Sequence, residues 1–122
     1  MSAKQTDSSI AAVNLPELMS RVEGDREFLL ELLGVFQLDF PRYHQELRAA
    51  LSQKNLSQVA LVSHTLKGML ANLAVSRAPA VLGNLEQLAK QGKTEALQSV
   101  VEEFEHEMTS VLAELEIFKS GG

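Results

Sequence analysis

The stretch TEALQSVVEEFEHEMTSVLAELEIF, residues 94–118, decides the fold. Its apolar positions are Leu97, Val101, Phe104, Met108, Val111, Leu115 and Phe118, alternately four and three residues apart. A mean step of ~3.5 residues is the period of a helix that lays one continuous seam against its neighbours. No segment of the chain sustains alternation of period two, and no Asn-Gly or Asp-Gly pair marks a hairpin. The chain is therefore expected to be all-α.

Working outward, the same 3-4 spacing recurs upstream. Asp25 is placed to cap a long helix whose stripe is Leu29, Leu32/Leu33, Phe36, Phe40, Tyr43, Leu47 and Ala50/Leu51. The phase runs through Pro41 unbroken, which predicts one helix kinked near the proline rather than two helices. Residues 53–57 read as the turn and restart. The next helix runs to about Val75, with Val59, Val62, Leu66, Met69/Leu70 and Leu73 as its stripe. Ser76 is the expected cap of a helix bearing Val81/Leu82, Leu85 and Leu88/Ala89 and stopping at Gly92, and Thr94 that of the last helix. A short helix opens at Asn14-Leu15-Pro16, with Pro16 in its first turn, and ends near Gly24. Short connections between long amphipathic helices imply antiparallel neighbours. The predicted architecture is an antiparallel four-helix bundle with a short additional N-terminal helix. It occupies 13–119, between a flexible polar arm at 1–12 and a loose tail at 120–122.

Composition narrows the function. A chain of 122 residues is one domain, and 45% apolar with 22% charged residues is ordinary for a globular protein. The net charge of −5 is spread without a dense basic stripe, so nucleic acid is set aside as a partner. There is no cysteine, which excludes disulfides and thiolate zinc sites and suits a reducing, cytoplasmic setting. No apolar run approaches the ~18 residues of a membrane span, so no membrane role is expected. Residues 1–9 lack the apolar core of a secretory signal.

The informative residue is His64, within Ser63-His64-Thr65-Leu66-Lys67-Gly68. At about 100° per residue it points away from the apolar stripe of its helix, into solvent. Ala60 and Gly68 lie one turn to either side, and Ala71 two turns on. Gly68 costs a helix ~1 kcal/mol relative to alanine, so it needs a reason. Either it clears space beside an exposed nitrogen, or another helix packs closely against this face. A lone helical histidine is usually of no special note. An ordinary imidazole, with a pKa of about 6.5, is nonetheless mostly neutral at pH 7 and keeps a lone pair for attack on phosphorus. Lys67 would supply a point charge for phosphoryl oxygens. Leu61 lies near the same face and has two readings: a cap against a neighbouring helix, or part of an exposed docking patch.

His64-Thr65-Leu66-Lys67-Gly68, followed by Leu73 and Ala74, resembles the signature of histidine phosphotransfer (HPt) domains of multistep phosphorelays. Phe36, Pro41, Leu47, Ala50-Leu51 and Leu85-Glu86 fit the same pattern, and the likeness covers roughly residues 15–118. It implies that His64 accepts a phosphoryl group from a receiver-domain aspartate and passes it to another. Lys67 would stabilise the phosphoryl charge, Gly68 would give steric access, and Ala60, Leu61 and Ala71 would belong to the docking face. The partners implied are response-regulator receivers and a hybrid sensor histidine kinase. Mg2+ would reside on the receiver, with no cofactor in this chain, which would act as a monomeric carrier and not as a kinase. Met69 and Leu70 depart from the small residues common after Lys-Gly, and Ala74 stands where glycine is common. Some members place a glutamine near the phosphorylated histidine. The matching position is Glu86, and a carboxylate there would repel the phosphoryl group, so Glu86 is expected to turn away.

Other chemistry is weaker. Glu103 and His106 have the spacing of one di-iron half-site, but the second half-site and further carboxylates are missing, so no metal is expected. The acidic run Glu102, Glu103, Glu105 and Glu107 reads as a solvated face, and His44 and His106 as ordinary surface or boundary histidines. No phosphate loop, nucleophile elbow or kinase motif is present. Two other functions remain open: a non-catalytic helical adaptor that binds a partner helix, and a substrate domain phosphorylated directly by a chemotaxis-type histidine kinase.

Overall fold

Side-chain caps start three of the helices. Asn14 accepts the Glu17 N–H at 3.1 Å, Asp25 that of Phe28 at 3.0 Å and Asn55 that of Gln58 at 3.2 Å. The computed structural model describes residues 11–121, and these fold as α1 (Leu15–Arg21), α2 (Arg26–Ser52), α3 (Leu56–Asn72), α4 (Ala78–Lys90) and α5 (Leu97–Lys119). Helix α2 neighbours α3 and α5, and α4 neighbours the same two. The four long helices thus close a bundle, and among the described residues there is no strand beyond one isolated bridge, Val13 to Val75.

The seams fall where the spacing puts them. Leu97, Val101, Phe104, Met108, Val111, Leu115 and Phe118 are all buried, as are Leu29, Leu33, Phe36, Phe40, Leu47 and Ala50 of α2. Pro41 lies inside α2 and does not break it. The α3–α4 pair packs most closely. The α2–α5 seam is filled by rings instead: Phe40 lies 6.3 Å from Phe104 and stacks on His44 at 5.6 Å. Glu105 accepts from His44 at 2.7 Å and from Arg48 at 2.7 Å, and Glu107 accepts from Arg77 at 2.9 Å. The acidic run is therefore only half a solvated face. Glu105 and Glu107 tie α5 to its neighbours, and the Arg48 hydrogen bond, followed by that of His44, holds the Glu105 carboxyl below its ordinary range.

Several boundaries differ from those expected. Helix α3 ends at Asn72, because Ala74 takes a left-handed φ of 58° and Val75 pairs with Val13. Ser76 does not cap α4; its hydroxyl donates to the Ala11 carbonyl at 2.9 Å, leaving Arg77 at the cap position. Thr94 opens a 3-10 turn, Thr94–Ala96, rather than the last helix itself. Of the expected arm, residues 1–10 lie outside the described residues, but Ala12 is buried with Val13. Both donate their N–H groups to the Glu114 carboxylate, at 2.9 and 2.8 Å. Arg21 of α1 donates to the carbonyls of Ala71 and Asn72, at 2.7 and 3.1 Å, capping the end of α3.

Ser63 is fully buried, and its Oγ has no partner among the described residues. An unpaired buried hydroxyl costs ~1–3 kcal/mol, and alanine keeps nearly the same shape. Ser63→Ala is expected to raise the unfolding free energy by ~1 kcal/mol in urea titrations; a loss of stability would show that the hydroxyl is satisfied in solution.

Candidate functional site

His64 stands midway along α3 with its side chain 65% exposed, while Ser63 and Leu66 beside it are buried. Across the α3–α4 seam it meets Glu86. That residue follows the buried Leu85 and is itself only 6% exposed. Both carboxylate oxygens face the His64 Nδ1, at 3.4 Å for Oε1 and 3.3 Å for Oε2. Lys67 reaches from α3 to Oε1 at 3.3 Å, and Lys90, one turn further along α4, reaches Oε2 at 3.0 Å. Glu86 and Lys90 stand in the favourable i, i+4 order. Lys67 crosses beside Gly83, where a Cβ would stand at an ordinary contact distance, 3.7 Å from the Lys67 Cδ, so the crossing does not depend on a glycine.

The electrostatics follow from the geometry. Burial alone would push the Glu86 carboxyl up, but the Lys90 hydrogen bond first, then those of Lys67 and His64, hold it down at about 2. It is an ionised acceptor throughout the neutral range, so the Nδ1 facing it carries the ring proton. The lone pair then sits on Nε2. Two lysines against one carboxylate leave the site with a positive excess beside that lone pair.

Glu86 thus corrects the sequence expectation: it faces His64 instead of turning away, because Lys67 and Lys90 neutralise it. Lys67 is placed differently too, bonded to Glu86 rather than free beside the ring. The other expected residues separate. Leu61 is 59% exposed, so it caps no neighbouring helix. Gly68 is exposed, and a Cβ built on it would meet nothing within 4 Å, so no helix of the described fold needs a glycine there. Ala60, with Ser57, Leu61, His64, Glu86 and Lys90, lines a shallow groove at the ring, but it is largely buried in the α3–α4 seam and offers a partner little surface. Ala71 is exposed near the end of α3. Sequence reasoning missed Lys90, for which the Glu86–Lys90 spacing was a usable signal. His44 is committed to Glu105 and the Phe40 ring, and His106 is exposed. Among the described residues no three acidic or histidine side chains gather as a metal site, and no helix is long and apolar enough to cross a membrane.

Comparison with known proteins bears on this arrangement. The family model of the Hpt domain matches residues 31–114. The phosphorelay intermediate protein rdeA of Dictyostelium discoideum is 29% identical over 97 residues, which is 80% of this chain and 38% of that protein. The chain therefore spans well under half the length of this curated relative. No solved structure matches significantly.

The Glu86 pair network should be visible in stability. Its folded pKa, about 2, lies below the ordinary 4.5, so ionisation favours the fold. That contribution is complete above about 4.5 and is lost as the pH falls through about 2. At ~1.4 kcal/mol per pKa unit the loss amounts to ~3 kcal/mol. Urea unfolding of the parent and Glu86→Gln should differ by ~3 kcal/mol more at pH 7 than at pH 2. A difference independent of pH would mean that the carboxylate is not held by the lysines.

Proposed function

This chain belongs to the Hpt domain family, and on that premise we propose that His64 accepts a phosphoryl group from a receiver-domain aspartyl phosphate and delivers it to the aspartate of a second receiver. The observation that supports this reading best is the division of labour on the ring. Nδ1 faces a fixed carboxylate, which leaves the lone pair to Nε2 of a ring that is 65% exposed. In the accepting step Nε2 attacks phosphorus, the P–O bond to the aspartate breaks, and its electron pair leaves on the carboxylate. The receiver brings the Mg2+ that neutralises the phosphoryl oxygens. This chain brings the nucleophile and the positive excess of Lys67 and Lys90. It acts as a carrier, since no nucleotide-binding motif accompanies the histidine.

Access is the second requirement, because the acyl phosphate is buried in another protein's active site. Gly68, one turn from His64, presents no side chain to an approaching receiver. Leu61 gives an exposed apolar contact on the other side. Beyond Gly68, Met69 joins the exposed Phe28, Leu32 and Val35 of α2 around an apolar groove, where a receiver helix can rest while its aspartate reaches Nε2. Ala71 extends this face. The Dictyostelium relative is a phosphorelay intermediate, which supports a phosphotransfer role for this chain. We extend the reading to a cytoplasmic, monomeric carrier supplied through a hybrid sensor kinase.

Incubation with a phosphorylated receiver should place acid-labile, base-stable label on the parent and none on His64→Gln, while circular dichroism shows both folded. Label persisting on the variant would remove His64 from the reaction. Labelling by a histidine kinase with no receiver present would favour the chemotaxis-type reading. Gly68→Gln should melt no lower than the parent, since its side chain enters open space, yet accept the phosphoryl group at least several-fold more slowly. Parental transfer rates in that variant would contradict the access argument.

A further inference from the structure

We propose that Glu114 is a positioning residue for receiver docking: by clamping the backbone of Ala12 and Val13 it holds α1 in place as one wall of the apolar groove beyond Gly68. This deepens the reading of that groove as the resting place of a receiver helix and rests on it.

The groove has three walls. Helix α2 and the end of α3 supply two, and Leu18, Arg21 and Val22 of α1 supply the third. The first two belong to long helices of the bundle, whereas α1 has only seven residues. A helix of two turns does not hold itself together in water, so its place is set by what ties it down. Leu18 is buried, and Arg21 donates to the carbonyls of Ala71 and Asn72. The start of α1 is tied by the strap 11–14. Val13 pairs with Val75, the Asn14 N–H donates to the Ala74 carbonyl at 2.8 Å, and the Ser76 N–H donates to the Ala12 carbonyl at 2.8 Å. Asn14 then caps α1, so strap and helix move as one unit.

Glu114 secures this strap from α5, a helix that contributes no residue to the groove. Each of its oxygens takes one N–H, Oε2 that of Ala12 at 2.9 Å and Oε1 that of Val13 at 2.8 Å. Ala12 and Val13 are each 1% exposed, so neither N–H can turn to water instead. A carboxylate suits the task because it offers two adjacent acceptors and no donor. The amide of the same shape offers one acceptor and sets its NH2 group against the second N–H. Glu114→Gln therefore loosens the strap without changing the size of the side chain, and leaves α1 to Leu18 and Arg21. A groove with one loosened wall must order that wall as the partner docks, which weakens binding. The chemistry at Nε2 is untouched. Among the described residues no hydrogen bond joins the strap to His64, Glu86, Lys67 or Lys90.

The test uses the full chain and a phosphorylated receiver. The initial rate of His64 labelling is measured against receiver concentration, and hydrogen exchange follows the amides of Ala12 and Val13. In Glu114→Gln both amides should lose protection. The receiver concentration for half-maximal rate should rise about tenfold, as the loss of a hydrogen bond to a charged group implies, while the maximal rate stays that of the parent. Labelling by phosphoramidate, which needs no docking, should be unchanged. Glu107→Gln, which loosens α5 from Arg77 and leaves the strap alone, should keep the parental half-maximal concentration. Parental docking in Glu114→Gln with both amides exposed would overturn the proposal. A fall in maximal rate alone, or an equal weakening by Glu107→Gln, would overturn it too. Should glutamine still hold the strap, Glu114→Ala removes both acceptors and is read in the same way, and amides protected even there would show that Glu114 is not the clamp. If no receiver labels the folded parent, the docking reading itself falls, and this proposal with it.

Discussion

A carboxylate that is almost wholly buried cannot stay ionised without partners, and the Glu86 network is where this fold meets that demand. Two lysines and one imidazole supply the partners, and they come from two helices. The contact can exist only if α3 and α4 hold a fixed register and rotation. Their seam, the most closely packed in the bundle, provides this. Leu66 and Leu70 of α3, with Leu82 and Leu85 of α4, are all fully buried. The apolar core and the polar site are thus two sides of one packing arrangement: the rotation that buries Leu66 and Leu85 sends His64 outward and brings Glu86 behind it.

A carrier of this kind needs little machinery. It has no enclosed pocket at His64, only an exposed ring over a shallow groove. What the domain would contribute to the proposed reaction is a ring in one tautomer, a local positive excess, and a face kept free of obstructing side chains at Gly68. Metal ion, acyl phosphate and enclosure all come with the receiver in the proposed reaction. The ends of the bundle are held by separate devices. Glu114 takes the backbone of Ala12 and Val13, and Arg21 caps α3, so the helix bearing His64 is anchored at its far end.

The fold was largely legible because amphipathic spacing is a local property. The seven-residue stripe of α5 and the cap at Asp25 follow from neighbours in the chain, and so does the outward direction of His64. The misread boundaries share a cause. Ser76 resembles a cap, but its hydroxyl serves a carbonyl 65 residues away, and the end of α3 is decided by the pairing of Val75 with Val13. Glu86 was misjudged in the same way. Treated as an isolated carboxylate beside a phosphoryl group it should swing away. Lys90 is already its neighbour on α4, but Lys67, the second lysine that holds it inward, comes beside it only once the helices dock, and its path across to α4 has no signature in either segment alone.

The central claim, that a receiver's phosphoryl group arrives on the outward nitrogen of His64, is tested most directly by the position of the new N–P bond. The chain, labelled with 15N in its histidines, would be incubated with a phosphorylated receiver and observed by proton–nitrogen NMR. Phosphorus coupling confined to Nε2 of His64, with Nδ1 still bearing its proton, is the predicted result. Phosphorylation at Nδ1, on His44 or His106, or on no histidine at all, would contradict it.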